Sequence, residues 1–208
     1  MEASFAELLG TAASTERVDD DVTRRRILDA ALAEAAMSGV NRLTVEDVVR
    51  RSDLGRMTVY RRFQRRDELV RALILREVQR FLDAVAAGIE RAPDPHAGVA
   101  EAFVAAVDFM RAHPLGARYA ASDPGAVWET AAAEDSAVLS IGRAFIAERI
   151  HGDAPGTPSR ATLQVADVLA RLFLTYVSIP PYEADPDDLR RFAREVITPM
   201  IERVAPGR

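Results

Sequence analysis

The chain has 208 residues, 49% of them hydrophobic, and a net charge of −5, which suits a globular protein with one small and one larger domain. It has no cysteine, which excludes disulfides and cysteine-ligated metal and is compatible with a cytoplasmic location. No apolar run reaches the roughly 18 residues of a membrane span, and the acidic start lacks the basic residues of a secretion signal, so we expect no membrane association.

Residues 1–21 hold six acids and one arginine, and we predict a flexible acidic tail there. A helix follows, in which Ile27, Leu28, Ala30 and Ala31 form the apolar set and Gly39 marks the end. No strand pattern or internal repeat is apparent in the sequence, so we predict an all-α fold.

Residues 44–66 predict two short helices around a tight turn. Thr44 is a typical N-cap, and Asp47 follows three positions later, as in a capping box. Asp53 tolerates the left-handed backbone conformation that the turn needs, and Gly55 can start the next helix. This second helix is expected to bury Val59 and Phe63. Its other faces are then left to Arg56, Met57, Thr58, Tyr60, Arg61 and Arg62.

The charge distribution indicates what this helix pair binds. Residues 22–80 contain fourteen arginines and eight acids, whereas the rest of the chain is acidic. Solvated surface arginines are the alternative, but they explain this cluster poorly. A basic helix-turn-helix is typical of DNA binding, with Arg56, Met57 and Thr58 as candidates for contacts to base edges in the major groove.

From about Thr23 to Leu75 the sequence resembles the tetracycline-repressor (TetR) family of transcription regulators. The matching features are the first helix, residues 43–45, residues 58–60 with Phe63, and residues 66–69. It departs from the family pattern at Asp53, Gly55 and Arg66, where a glycine, a serine and a lysine are usual. The resemblance implies phosphate contacts by Tyr60, Thr44 and Arg66. The full set of DNA-binding candidates is Arg24, Thr44, Gly55, Arg56, Met57, Thr58, Tyr60, Arg61 and Arg66.

We therefore predict a three-helix helix-turn-helix domain at residues 22–66 and a helical effector-binding and dimerisation domain at residues 67–208, whose connecting helix is residues 67–90. Further helices are predicted at residues 96–112, 115–121, 125–151, 159–179 and 187–204, and Pro199 is expected to kink the last one. The resemblance implies that the last two helices pair with a second copy. Their apolar stripes are Leu163, Ala166, Leu169, Phe173, Leu189, Phe192, Val196 and Met200. Packing of these stripes onto the chain's own core is the alternative.

The larger domain is also expected to bind a small hydrophobic or amphipathic effector. Its candidate pocket residues are Phe103, Phe109, Met110, His113, Tyr119, Trp128, Phe145 and Tyr176. Trp128 stands out as the single tryptophan, among small neighbours. Ordinary core packing is the alternative, and such residues on amphipathic helices belong to the core more often than to a pocket wall.

Catalytic motifs are lacking: the sequence has no G-x-S-x-G, no phosphate-binding glycine loop and no H-E-x-x-H, and its three histidines are scattered. We expect no enzyme activity, no cofactor and no metal site. The predicted function is a ligand-responsive repressor that binds a palindromic operator as a homodimer. The alternative is a small-molecule-binding or scaffold dimer with a vestigial DNA-binding head.

Overall fold

The computed structural model describes residues 21–122, 137–179 and 187–206, without the side chains of residues 119–122, 137 and 138. All regular elements in these ranges are helical, as predicted. They are α1 (Val22–Ser38), a 3-10 turn (Val40–Arg42), α2 (Val45–Ser52), α3 (Arg56–Arg62), α4 (Arg66–Glu90), α5 (Pro95–Ala112), α6 (Pro114–Ser122), α7 (Ala137–His151), α8 (Arg160–Ser178), α9 (Asp188–Phe192), a π-helical segment (Ala193–Ile197) and α10 (Thr198–Glu202). None of these helices is long and apolar enough to cross a membrane.

The described residues form two compact units. The first unit contains residues 21–80 together with 113–118, and the second contains residues 81–112 and the described residues from 119 onward. The predicted acidic tail and the first twelve residues of the helix predicted at 125–151 lie almost entirely outside the described residues.

The first unit packs α1, α2, α3 and the start of α4 around one core, in which Ile27, Leu43, Val48, Val59 and Leu69 are fully buried. The segment 113–118 belongs to this unit because Leu115 packs against the core. Arg118 also donates hydrogen bonds to the carbonyls of Ala36 and Met37, at 3.3 and 2.7 Å. These carbonyls end α1 and have no partner within the helix.

Local signals place the helix ends of the first unit as predicted. The Thr44 side chain accepts from the Asp47 N–H at 3.2 Å and so caps α2. Asp53 has φ 53° and ψ 27°, the left-handed conformation expected of the turn. Gly39 has φ 90° and its N–H bonds the Ala35 carbonyl, which ends α1. Local caps therefore set the end of α1 and both ends of α2, the two helices that precede α3.

The second unit has a separate apolar core between α5, α8 and the C-terminal segment, whose fully buried members include Val107, Ile197 and Ile201. The predicted C-terminal helix is continuous but irregular, because its middle is π-helical and the Thr198 N–H reaches the Ala193 carbonyl. Pro199 follows at the start of α10. Proline has no N–H to donate, so one hydrogen bond of the regular α-helix is already missing there. A wider π turn next to it therefore sacrifices fewer hydrogen bonds than it would elsewhere in a helix. The irregularity expected at Pro199 thus takes the form of a π turn.

Candidate nucleic-acid interface

Helix α3 is held by two buried side chains and exposes the others. Val59 is fully buried and Phe63 is 3% exposed, as predicted, whereas Met57 is 82% exposed. Met57, Thr58, Tyr60, Arg61 and Gln64 line one open groove along this helix. Gln64, which the sequence interpretation missed, lies just beyond the end of α3 and still lines this groove.

Arg56 and Tyr60 share an acidic partner that the sequence did not suggest. Arg56 Nη2 donates to Glu46 Oε1 at 2.5 Å, and the Tyr60 hydroxyl donates to Glu46 Oε2 at 2.6 Å. The Arg56 guanidinium also lies over the Tyr60 ring, 5.3 Å from its centroid. The hydrogen bond to the Glu46 carboxylate raises the pKa of Tyr60, because it favours the protonated phenol. The three side chains form one cluster on the exposed side of α2 and α3.

Arg66, predicted to contact a phosphate, holds the 3-10 turn in this structure. Its guanidinium donates to the carbonyls of Leu43 at 2.9 Å and of Val40 and Asn41, both at 3.1 Å. These carbonyls lie at the turn that leads into α2. The planar fork of arginine suits several carbonyls at once, which the ammonium of lysine would satisfy less well. The structure thus gives Arg66 a scaffold role that the sequence did not indicate.

Two other predicted DNA contacts also have partners within the chain. The Thr44 hydroxyl donates to Asp47 Oδ2 at 2.5 Å, and this hydrogen bond is the main reason why the pKa of Asp47 is lowered. The Arg24 guanidinium lies 5.1 Å from the centroid of the Phe63 ring, which places it beside the end of α3. Arg62, the last residue of α3, pairs with Asp21, the N-cap of α1.

His113, predicted to line an effector pocket, lies in the first unit instead. Its Nε2 is 2.9 Å from Glu77 Oε2, and its Nδ1 accepts from the Leu115 N–H at 3.3 Å. Glu77 and His113 are buried at 7% and 9% exposure. Arg76 bonds Glu77 at 2.7 Å and Asp29 of α1 at 2.7 Å. The cluster ties α4 both to α1 and to the segment that follows α5.

Several other predicted pocket residues come together in the second unit. Phe103 and Tyr176 make an edge contact at 5.8 Å between ring centroids, and Tyr176 stacks on Phe192 at 5.7 Å. Arg111 lies beside them, where its Nε donates to the Tyr176 carbonyl at 3.1 Å. The Arg111 Nη2 is buried and has no hydrogen-bond partner among the described residues.

Three further pocket candidates that the structure describes are not part of this aromatic group. Phe109 packs edge-on against Phe81 at 5.7 Å, Phe145 lies beside Arg149, and Met110 is half-buried. The Tyr119 side chain and Trp128 lie outside the described residues.

The predicted dimer stripe divides by burial. Ala166, Leu169 and Leu189 are buried in the cores of their own chain. Phe173, Phe192 and Met200 are half-buried. Leu163 and Val196 are 49% and 48% exposed, and Val168, which was not predicted, is 45% exposed. Only the exposed and half-buried members are accessible to a second chain in this conformation.

Comparisons with known proteins agree with the geometry of the first unit. A sequence model of the family described as bacterial regulatory proteins, tetR family, matches residues 27–73, which include α2, α3 and the turn between them. No curated protein matches the sequence significantly.

Among solved structures, the TetR family repressor AlkX from a Dietzia species, implicated in biodegradation of n-alkanes, is similar at 20% identity and a TM-score of 0.55. The similarity covers 87% of this chain and 98% of that protein. A TetR-like transcriptional regulator from a Rhodococcus species is similar at 16% identity and a TM-score of 0.57, over 90% of this chain and 97% of that one. The family model thus assigns residues 27–73 to a TetR-type helix-turn-helix, and the two solved structures show that the chain shares the fold of TetR-like regulators.

Proposed function

We propose that the protein is a cytoplasmic, ligand-responsive repressor that binds a palindromic operator as a homodimer. The exposed face of α3 carries this proposal. Val59 and Phe63 anchor the helix, while Arg56, Met57 and Arg61 remain exposed. A helix of this kind fits the major groove of B-DNA, where base pairs present distinct patterns of donors and acceptors.

Within α3 we divide the contacts by position. Arg56, Met57 and Thr58 at its N-terminal end are proposed to contact base edges, since arginine suits guanine and the methyl groups of methionine and threonine suit thymine. Tyr60 and Arg61 are proposed to contact phosphates. The remaining phosphate contacts are assigned to Thr44 and Gly55 at helix starts, and to Arg24 and Arg66 beside them.

Dimerisation is proposed through α8 and the C-terminal segment. Leu163, Val168 and Val196 support it, because they are large apolar residues that stay exposed in a single chain. An isologous interface between two copies would cover them. For a helix-turn-helix dimer, the two recognition helices are then expected about 34–36 Å apart, one turn of DNA.

The effector is proposed to bind in the second unit, beside Phe103 and Tyr176. The buried Nη2 of Arg111, which lacks a partner among the described residues, supports an effector with an acceptor group on an apolar body. If the effector prefers a dimer whose α3 helices are wrongly spaced, it lowers the affinity for the operator. The operator then lowers the affinity for the effector by the same factor.

Selection of bound duplexes from a random library, at near-physiological salt and with purified full-length protein, tests the regulator proposal. An enriched palindrome with half-sites one helical turn apart is expected. If the folded dimer enriches no sequence, with or without cell extract added to supply effector, the result would favour the alternative of a small-molecule-binding or scaffold dimer whose DNA-binding head is vestigial.

Melting temperature tests the effector proposal. The probes are a straight-chain alkane, because the Dietzia protein is implicated in n-alkane degradation, and the carboxylate of equal chain length. Arg111 predicts that the carboxylate stabilises the protein more than the alkane does; at 100 times its Kd the carboxylate should add about 2.7 kcal/mol to the stability of the ligand-free protein. Arg111→Met should remove that difference, whereas equal stabilisation by both probes would exclude Arg111 from the site.

A further inference from the structure

Glu46 occupies an unexpected place for an acid. It lies in the first turn of α2, next to the residues of α3 that are proposed to contact DNA, and its side chain is 52% exposed. Both of its carboxylate oxygens are used, one by Arg56 and the other by the Tyr60 hydroxyl. A carboxylate gains nothing from a neighbouring phosphate, so its presence here calls for a reason other than affinity.

We propose that Glu46 is a specificity-determining positioning residue, which orients Arg56 toward base edges and keeps Arg56 from pairing freely with phosphates. This inference rests on the proposed function, because it requires Arg56 to lie at the DNA interface. It adds a residue that touches no base itself and acts through two that are placed at the DNA.

The donor count of arginine makes the arrangement possible. A guanidinium has five N–H donors, and the hydrogen bond to Glu46 uses one of the Nη2 hydrogens. The opposite edge of the fork remains able to donate to the O6 and N7 atoms of a guanine. Stacking over the Tyr60 ring, at 5.3 Å, restricts the same guanidinium in a second direction. Arg56 can therefore contact a guanine without leaving Glu46.

Nonspecific DNA offers phosphates but no guanine at the matching position. For Arg56 to turn from the base edges to a phosphate, it must leave Glu46, and the carboxylate then loses its charged partner near the DNA backbone. The repulsion between carboxylate and phosphates acts on every sequence, whereas only the operator offers contacts that Arg56 makes while still paired. Glu46 therefore weakens nonspecific binding more than operator binding, which is how a repulsive element produces specificity.

A purely structural link between α2 and α3 is the competing explanation. The Arg56 and Glu46 side chains are 68% and 52% exposed, and ion pairs this exposed contribute little to folding. Replacement of Glu46 by glutamine, which keeps the side-chain shape, should therefore leave the melting temperature unchanged. DNA binding can then be compared between folded proteins.

The experiment measures the affinity of full-length wild type, Glu46→Gln and Glu68→Gln for two duplexes over a range of salt. The duplexes are the operator selected by wild type and a scrambled sequence of the same composition. Glu68→Gln is the matched control, because Glu68 is an exposed acid in the first turn of α4 and its replacement removes the same charge from the same unit.

Glu46→Gln is expected to bind the scrambled duplex about tenfold more tightly while its operator affinity changes less, so the specificity ratio falls. The plot of log affinity against log salt for the scrambled duplex should steepen by about one unit, as one more phosphate is contacted. Preference should relax at the base pair that is also affected by Arg56→Ala. Glu68→Gln should shift both duplexes equally.

Equal shifts for Glu46→Gln and Glu68→Gln would overturn the inference, as would a loss of affinity for both duplexes in Glu46→Gln. If the wild-type protein enriches no operator, the proposed function itself fails. That outcome is seen in the selection step, before any variant is compared, so it is distinguishable from failure of the inference about Glu46.

Discussion

Replacement of Glu77 by glutamine tests the buried ion cluster of the first unit. The carboxylate bonds His113 at 2.9 Å and Arg76 at 2.7 Å, both from buried or nearly buried side chains. Glutamine keeps one acceptor oxygen, but its NH₂ group is itself a donor and would face the N–H donor of either His113 or Arg76. The variant thus loses one buried hydrogen bond to a charged group, which costs about 1.5–3 kcal/mol. Arg80 at 3.2 Å is more than half exposed, so its loss adds little.

Urea unfolding and thermal melting, followed by circular dichroism at fixed protein concentration, measure this cost. For a chain of this length about 1.5–3 kcal/mol corresponds to a fall in Tm of about 3–12 °C. Glu68→Gln, on the exposed side of the same helix, is the control and should change the free energy of unfolding by less than about 0.5 kcal/mol. Equal stability of the two variants would refute the claim that Glu77 stabilises the unit.

The pH dependence gives a second check on Glu77. Burial alone would raise the pKa of this carboxyl, but the hydrogen bond from His113 and the charges of Arg76 and Arg80 outweigh burial and lower the pKa. A carboxyl with a lowered folded-state pKa stabilises the fold above its unfolded pKa and loses that effect as the pH falls through the folded pKa. The difference between wild type and Glu77→Gln should be full at neutral pH and shrink below about pH 4. A difference that grows with acidity would contradict this sign.

Three further predictions concern single positions. Gly88→Ala should destabilise by about 1–3 kcal/mol, because the new Cβ would lie 2.9 Å from a backbone oxygen, whereas Gly98→Ala meets nothing closer than 3.4 Å and serves as the control in urea unfolding. Thr44→Ala should cost about 1 kcal/mol by removing the cap of α2, and an unchanged urea midpoint would rule out that role. Leu163→Glu should give folded monomers by light scattering with weak operator binding; a variant that stays dimeric would place Leu163 outside the interface.

The features that could be predicted from the sequence are those set by neighbouring residues. Thr44 caps α2 because Asp47 follows it closely, and Asp53 adopts a left-handed conformation because aspartate tolerates it between two helices. The burial of Val59 and Phe63 follows from helical spacing. These signals act over a few residues, so one sequence contains all the information they need.

The features that could not be predicted depend on partners far apart in the chain. His113 and Glu77 are 36 residues apart, and Tyr60 and Glu46 are 14 apart, on different helices. The burial of Leu169 in the core of its own chain could not be predicted for a different reason. A helix buries the same 3.6-residue stripe whether it packs on its own chain or on a partner, so periodicity cannot separate the two. A substitution of Leu169, which is buried, would test folding of the chain. A substitution of Leu163, which is exposed, tests the interface.

The number of arginines overstates the charge that the first unit presents to DNA. Residues 22–80 contain fourteen arginines, but an arginine that keeps an acidic partner within the chain displaces no counterion from DNA. Such pairs in the helix-turn-helix region include Arg50 with Asp47, Arg51 with Glu34, Arg56 with Glu46, and Arg62 with Asp21. With Asp21 added to the eight acids, residues 21–80 have an excess of five positive charges, and this excess counts each pair as zero. It is therefore the better measure, and it predicts a slope of log affinity against log salt of about −4.5 per subunit. A much steeper slope would mean that these pairs open when the protein binds DNA.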